Sequence, residues 1–226
     1  MTALPELIKG RKSIRNFTDK PVAIDLVNKI LDIARYAPTG GNMQPWKIAI
    51  IRGKYLDKLS KLMLEAFDKR TPFTQDYPYY PESSFSPYDL RRHESGLSLY
   101  NAVGIEFSPK YIDWDAVLKL SRENYQFFGA KTALIVYIDK RLTAGAHIDI
   151  GLFMQNIMLL AEHFGLNTCS QAAMSNYAGI IKQVLDIDKD MNILCSIALG
   201  YGDTEAKINH YTTQKVAVDG FAKLYE

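Results

Sequence analysis

Thiols are scarce in this chain: Cys169 and Cys195 are the only cysteines in 226 residues, and neither belongs to a CxxC pair or has histidine-rich company. That excludes a zinc ribbon, a CxxC redox motif and a disulfide framework, and leaves two free thiols in apolar surroundings. An excess of either charge is also missing. Lysine and arginine number 27 against 25 acidic residues, a net charge of +2, so neither a nucleic-acid stripe nor a membrane-seeking basic face is expected. The four histidines show no metal-ligand spacing, and no metal is expected. The glycine fingerprint of a dinucleotide-binding Rossmann unit is absent: Gly200-Tyr201-Gly202 has no third glycine and no helix after it, and reads as a turn. Linker-like Pro/Ser/Gly runs, low-complexity tracts and repeats are missing, so residues 1–226 are expected to form one domain. The first ten residues lack the apolar core of a signal peptide. The apolar run at 148–164 carries Asp149, Glu162 and His163 and reads as too short to span a bilayer. A cytoplasmic location is the expectation.

Periodicity supplies the elements. Leu26, Ile30, Ile33, Ala34 and Ala37 recur at helical spacing, predicting a helix over 24–37 that Pro38 ends. Further helices are expected over 54–69, 90–103, 113–127, 147–164 and 175–185, and strands over 47–52, 132–138 and 191–199. Helix 147–164 is apolar nearly all round, as a core or interface helix is. Residues 70–86 hold three prolines and five aromatic rings without usable period, a long irregular excursion inside a wider region, 70–110. The tail gains Val216, Val218, Phe221 and Leu224 beyond the last strand, apolar groups that need something to rest on. Strands separated by helices argue an α+β or α/β sandwich around a small sheet.

Two segments carry the chemistry. In Arg11-Lys12-Ser13-Ile14-Arg15, an extended backbone puts Arg11, Ser13 and Arg15 on one face. Two guanidiniums and a hydroxyl match a phosphate, although a solvated basic patch explains the same residues. In Ala37-Pro38-Thr39-Gly40-Gly41-Asn42-Met43-Gln44-Pro45-Trp46, glycines let backbone approach a ligand while Asn42 and Gln44 offer donors and acceptors. An ordinary helix-to-strand loop accounts equally well for that stretch alone.

The two segments together resemble the flavin signature of the nitroreductase family, and the likeness extends in register along nearly the whole chain. It includes residues 124–130 before a strand, 149–156, Gly165-Leu166-Asn167-Thr168-Cys169-Ser170-Gln171-Ala172-Ala173, 198–203 and Asn209. The likeness is greater to bacterial members that reduce nitroaromatic compounds such as nitrobenzoates. The resemblance implies a mostly antiparallel sheet flanked by helices, a homodimer exchanging C-terminal tails, FMN as cofactor and NAD(P)H as electron donor. It implies that Arg11, Lys12, Ser13 and Arg15 hold the flavin's phosphate and ribityl chain, and that Asn124 bonds its pyrimidine edge. Pro38, Thr39, Gly40 and Asn42 reach it from the other subunit. Gln171, Ala172 and Ala173 line N5 with backbone N–H, so no catalytic side chain is called for. Lys215 stands where the family has a phosphate-binding arginine and keeps the charge without the fork. Thr213 replaces a basic residue of some relatives, and Lys131 a proline.

The implied reaction passes hydride from NAD(P)H through flavin N5 to a nitroaromatic acceptor by ping-pong exchange. Two other readings stand beside it: the same scaffold serving quinone reduction, dehalogenation or dehydrogenation, and a flavin store or sensor with little turnover. Tyr79, Tyr80 and Arg91 are candidate acceptor residues, the first two on a lid over 70–88. Arg92 is a second candidate for an acceptor carboxylate, against the alternative that both arginines are solvated helix charges.

Overall fold

A computed structural model describes residues 3–108 and 111–226. Its elements in chain order are α1 (Leu4–Gly10), α2 (Ile24–Ala34), β1 (Lys47–Arg52), α3 (Lys54–Asp68), α4 (Tyr88–Val103), β2 (Phe107–Ser108), β3 (Tyr111–Ile112), α5 (Trp114–Arg122), β4 (Thr132–Asp139), α6 (Ala144–His163), β5 (Asn167–Gln171), α7 (Ala178–Leu185) and β6 (Met191–Gly200). Four strands form one sheet in the order β1-β4-β6-β5, and every neighbouring pair is antiparallel. The α+β class is therefore as expected.

β4 explains the layering. Its alternate residues face opposite sides: Ala133 and Ile135 enter one core with Leu59, Met63 and Ile181 of α3 and α7, while Leu134, Val136 and Ile138 enter another with α2 and α6. Each of these side chains is fully buried, contributing roughly 1.5–3 kcal/mol for the larger aliphatics. The sheet is thus the middle of three layers.

Several boundaries differ from the sequence expectation, each for a physical reason. α2 stops at Ala34, three residues before the apolar spacing ends, and Ala37 is buried from a turn instead. α5 ends at Arg122 and tightens into a 3-10 segment, Glu123–Gly129. There Phe127 and Phe128 hold φ of +52° and +54°, a left-handed pair costing on the order of 1–3 kcal/mol each. Burial of both rings and the Phe17 N–H donating to Phe128 O (3.1 Å) hold the pair in place. β5, Asn-Thr-Cys-Ser-Gln, has too little apolar alternation to announce itself and gains its strand character from pairing with β6. The small β2–β3 hairpin was not expected either.

α6 is 20 residues long, beginning at Ala144. By length and composition it could cross a membrane, so the reading of that run as too short is corrected. Ala146, Asp149, Ile150, Phe153, Ile157 and Ala161 make a buried stripe against the sheet, while Ile148 and Leu152 face outward.

The excursion is pinned at its start. In β6 the register with β4 slips at Leu194, an extra residue between the pairs Val136↔Cys195 and Tyr137↔Ile193. The backbone groups at this bulge turn to the excursion: Ile193 N–H donates to Asp76 Oδ2 (2.8 Å), and Tyr77 Oη donates to Leu194 O (2.7 Å). Lys182 Nζ of α7 donates to Asp76 Oδ1 (2.6 Å), and Thr74 N–H to Asn176 O (2.7 Å). Replacing Asp76 by alanine strands a largely buried ammonium and a bulge N–H. It is expected to lower stability by about 2–4 kcal/mol in urea unfolding; a loss within about 0.5 kcal/mol, the range of an ordinary surface change, contradicts the clamp.

Candidate functional site

The basic segment lies along the free edge of β5. Ser13 bridges Thr168 in parallel fashion, and Ile14 N–H donates to Thr168 O (3.0 Å). Ile14 points into the core, so Arg11, Ser13 and Arg15 take the other face. Farther along, Phe17 bridges Gly202, and Thr18 N–H donates to Tyr201 O (2.8 Å). The glycines around Tyr201 are more than a turn. A Cβ on Gly200 would stand 3.0 Å from the Phe17 ring, and one on Gly202 2.8 Å from Asn167 Oδ1 and 3.0 Å from Ile14. They are small so that this segment can lie flat on the sheet.

Asn209 locks the arrangement. Buried, it accepts from Arg15 N–H through Oδ1 (2.7 Å) and donates through Nδ2 to Asn16 O (2.9 Å) and Asp203 O (2.8 Å). The Arg15 guanidinium donates to Ser13 O (3.3 Å) and Tyr211 Oη (2.6 Å), and lies over the Tyr211 ring. Among the described residues neither Arg11 nor Arg15 forms an ion pair with a carboxylate. Burial holds the Glu162 carboxyl above the ordinary range, against the opposing pull of Asn167, Arg11 and Lys12. Burial also pushes the Cys169 thiol up to about 11, with Arg15, Ser13 and Arg11 drawing it down. Cys169 is thus a neutral floor beneath the cationic face, and Cys195, pushed up by burial to about 12, is equally inert. Lys131, which stands where the resemblance has a proline, pairs with Asp19 (2.7 Å) at the surface.

At the far end of β5, Gln171 is buried and its amide is wholly engaged. Nε2 donates to Asn124 O (2.8 Å), and Oε1 accepts from Ser196 Oγ (3.2 Å). Asn124 Nδ2 donates to Ser121 O (3.1 Å). Gln171 therefore positions Asn124 through its side chain. Ala172 and Ala173, both half-buried, begin the 3-10 segment Ala172–Tyr177, whose first N–H groups have no partner within the turn.

The glycine turn sits elsewhere. Gly41 and Asn42 adopt φ of +58° and +56°, the left-handed region that glycine and asparagine tolerate best. Gly40 N–H donates to Asp149 Oδ2 of α6 (3.2 Å), Gln44 N–H to Thr39 Oγ1 (3.1 Å), and Trp46 stacks on Phe153 with centroids 4.5 Å apart. Pro38, Gly40, Asn42 and Gln44 are exposed and Thr39 half-buried. Asp149 was not singled out in advance, though a carboxylate inside an apolar helix was its visible signal. From Asp149 to Glu162 the helix rises about 20 Å. Within one chain the turn and the arginine strand thus lie toward opposite ends of α6.

The remaining candidates separate. Tyr79 and Tyr80 are exposed and packed edge to face at 4.8 Å, and Tyr79 leans on the anchored Tyr77. The guanidinium of Arg92 lies 4.0 Å from the Tyr80 ring centre, whereas Arg91 shares a groove with Lys215 and residues 212–216 of the tail. Lys215 Nζ donates to Thr213 Oγ1 (2.9 Å). A cavity of about 630 Å³, walled by Phe67, Phe73, Leu118 and Tyr177, is lined by Arg70–Phe73 at the start of the excursion and by none of the candidate cofactor or acceptor residues.

Residues 8–201 match the sequence model of the Nitroreductase family. A nitrobenzene nitroreductase of Ectopseudomonas oleovorans is 31% identical over 222 residues, 96% of this chain and 95% of the relative. A 4-nitrobenzoate reductase of Pseudomonas putida is 32% identical over 215 residues, covering 95% and 92%. Among solved structures, the FMN and NADPH-dependent nitroreductase NfnB of Sphigopyxis sp. strain HMH superposes with a TM-score of 0.94 at 28% identity, covering all of both chains.

The Gln171 lock is open to test. Gln171→Leu leaves the Asn124 carbonyl and the Ser196 hydroxyl without their partner. The expected loss is about 1–3 kcal/mol in urea unfolding; stability equal to the native chain's would show that the lock is not formed.

Proposed function

This chain belongs to the nitroreductase family, and from that premise we propose that it is an FMN-dependent oxidoreductase passing hydride from NAD(P)H to a nitroaromatic acceptor. The observation that carries the reading is the Arg11–Ser13–Arg15 face. Its half-buried guanidinium at Arg15 meets only neutral oxygens among the described residues, which leaves its charge available to an anion from outside the chain. The donor set fits a phosphate monoester: two guanidiniums and a hydroxyl on one strand face, with Lys12 alongside. The locked Asn124 fits the hydrogen-bonding edge of a flat ring, and the opening N–H groups at Ala172 and Ala173 fit that ring's reactive side.

Bound FMN supplies a hydride acceptor at N5 that later returns the hydride to a second substrate. The protein's own part is binding, orientation and charge. Arg11, Ser13 and Arg15 anchor the phosphate end, and Gln171 fixes Asn124 so that its amide is set before the ring arrives. Backbone N–H groups at 172–173 favour negative charge on the ring, a preorganised electrostatic role that asks for no acid–base side chain. Donor and acceptor use one cleft in turn, in ping-pong order. A second copy of this chain completes the site, presenting Pro38, Thr39, Gly40 and Asn42 from across a two-fold axis. The separation of roughly 20 Å along α6 supports this, since one copy holds the two segments apart. Exposed Ile148, Leu152, Phe221 and Leu224 supply apolar surface for such an interface. The C-terminal tail crosses to the partner in this reading.

Titration of the purified protein with FMN is expected to give one tightly bound flavin per chain, and Arg15→Ala to weaken binding about 10- to 100-fold. NADPH oxidation should be rapid with a nitrobenzoate and slow without an acceptor; a benzoquinone arm separates nitro chemistry from general quinone reduction. A colourless protein that takes up no FMN removes the proposal, and tight FMN binding without turnover leaves a flavin store.

Tyr79 and Tyr80, beyond the anchor at Asp76 and Tyr77, form the acceptor-facing lid in this reading. Replacing both by alanine is expected to change relative kcat/KM among nitroaromatic acceptors by about 10-fold while FMN affinity stays within two-fold. Identical acceptor profiles for the two proteins would exclude the lid.

A further inference from the structure

The cavity of about 630 Å³ between α3, α5 and Tyr177 holds chemistry that the flavin reading leaves unused. Phe67, Leu118, Tyr177 and the segment Arg70–Phe73 wall it, and neither α6 nor the tail does, so an exchange of tails between two copies takes none of its walls away. Phe73 meets the Tyr177 ring edge to face at 5.6 Å. Phe73 and Leu118 are 58% and 44% exposed, apolar groups that an occupant would cover. Tyr177 is only 2% exposed, and its hydroxyl has no hydrogen-bond partner among the described residues. Burial, with the Asp68 carboxylate adding to it, raises that hydroxyl above its ordinary range and keeps it a donor.

Arg70 holds φ of +53° just past the C-cap of α3, a position where glycine is usual. Its N–H donates to Phe67 O (3.0 Å) and Thr71 N–H donates to Ala66 O (2.9 Å), closing the turn through backbone alone. Glycine would make the same turn without strain, so the fold does not explain the arginine, whereas its side chain on the cavity wall does. Arg122 is engaged by Asp68 through two bonds of 2.9 Å. Neither Arg70 nor Lys119 forms an ion pair among the described residues. Asp115 is the one other acid on the wall, so the lining is net positive.

We propose that this cavity binds a small aromatic carboxylate, its ring against Phe73 and Tyr177 and its charge on Arg70 and Lys119. The rings of Phe67, Phe73 and Tyr177, with Pro72, favour a flat aromatic body over a flexible chain. A guanidinium and an ammonium that lack carboxylate partners match a carboxylate, and the Tyr177 hydroxyl is free to donate to a ring substituent. The walls include none of the residues of the flavin reading, and the site does not depend on it. Contact with them runs through the Tyr125 ring, 5.4 Å from Tyr177 and next in the chain to Asn124.

Fluorine NMR of 4-fluorobenzoate, titrated against the purified protein as isolated and after saturation with FMN, tests the site without turnover. Binding is expected in both samples, at least about 10-fold tighter than that of the neutral 4-fluorobenzamide. A glycine suits the turn at residue 70, so Arg70→Gly should unfold at the native temperature or above it. The same variant should keep its FMN affinity and lose about 10-fold in affinity for 4-fluorobenzoate, with Arg70→Lys losing less and Lys119→Gln also weakened. Hexanoate, of the same charge, should bind more weakly, and tighter binding by it overturns the aromatic class. Equal affinity for acid and amide overturns the proposal, as does an Arg70→Gly variant that binds 4-fluorobenzoate like the native chain. Binding abolished by added FMN places the ligand in the flavin cleft and overturns it too. Binding that emerges only after removal of residues 217–226 assigns the cavity to the tail of a second copy instead. No FMN uptake with 4-fluorobenzoate binding intact upholds the cavity and removes the flavin reading.

Discussion

The attachment of residues 13–18 to the free edge of the sheet is the constraint on which the rest depends. β5 ends the four-stranded sheet, and the Ser13–Thr168 bridge, with Ile14 N–H donating to Thr168 O, covers part of its free edge, while Phe17 pairs with Gly202 just past the end of β6. Covering that edge solves a folding problem and sets which side chains face outward at once. Because Ile14 must enter the core, its neighbours Ser13 and Arg15 must leave it. A slip of one residue would bury the arginines and expose the isoleucine. The close fit at Gly200 and Gly202 and the three bonds of Asn209 all oppose that slip.

The same logic extends along β5. The strand supports Ser13 near its start and ends in Gln171, so the groups at its two ends are spaced by a rigid element rather than by loops. Gln171 reaches across to Asn124, which precedes the left-handed Phe127–Phe128 pair. Backbone strain at that pair is tolerated because Phe128 O receives Phe17 N–H, returning to the same N-terminal segment. Three parts distant in sequence, residues 11–18, 124–130 and 167–173, thus form one mutually bonded unit. The glycine turn lies outside it, attached to α6 through Asp149 and the Trp46–Phe153 stack. A chain built this way holds the arginine strand and the glycine turn on separate parts of the fold.

Much of the fold was legible because it rests on periodicity. β1 lies at the predicted residues, and β4, α3 and the body of α6 lie within a few residues of theirs, each marked by apolar runs or helical spacing. β5 was illegible because Asn167, Thr168, Ser170 and Gln171 give no apolar alternation; its identity depends on partners elsewhere. The alternation of Arg11, Ser13 and Arg15 was readable, since a strand's period of two is local. A role for them was not local, and only the family resemblance proposed one. The lock between Gln171, Asn124 and Ser196 spans residues 124 to 196 and left no pattern in any window. Arg91 and Lys215 stand far apart in sequence, and their shared groove exists only once α4 and the tail are packed together.

The bulge at Leu194 shows how a rigid sheet can carry a variable rim. Bulges leave backbone groups without ladder partners, and here Ile193 N–H and Leu194 O are satisfied by Asp76 and Tyr77 of the excursion. The excursion is therefore fastened to the central strand pair β4–β6, the most deeply buried part of the molecule, at one short stretch. Beyond it Tyr79, Tyr80 and Phe85 are exposed and contact chiefly one another and the neighbouring α4. Sequence change beyond the fastening can reshape that rim without loosening the sheet, because no core contact of β4 or β6 passes through the exposed rings. Change at Asp76 or Tyr77 would instead leave bulge groups unsatisfied inside the protein. Firm attachment beside a free rim lets the rim vary while the segment along the β5 edge stays fixed.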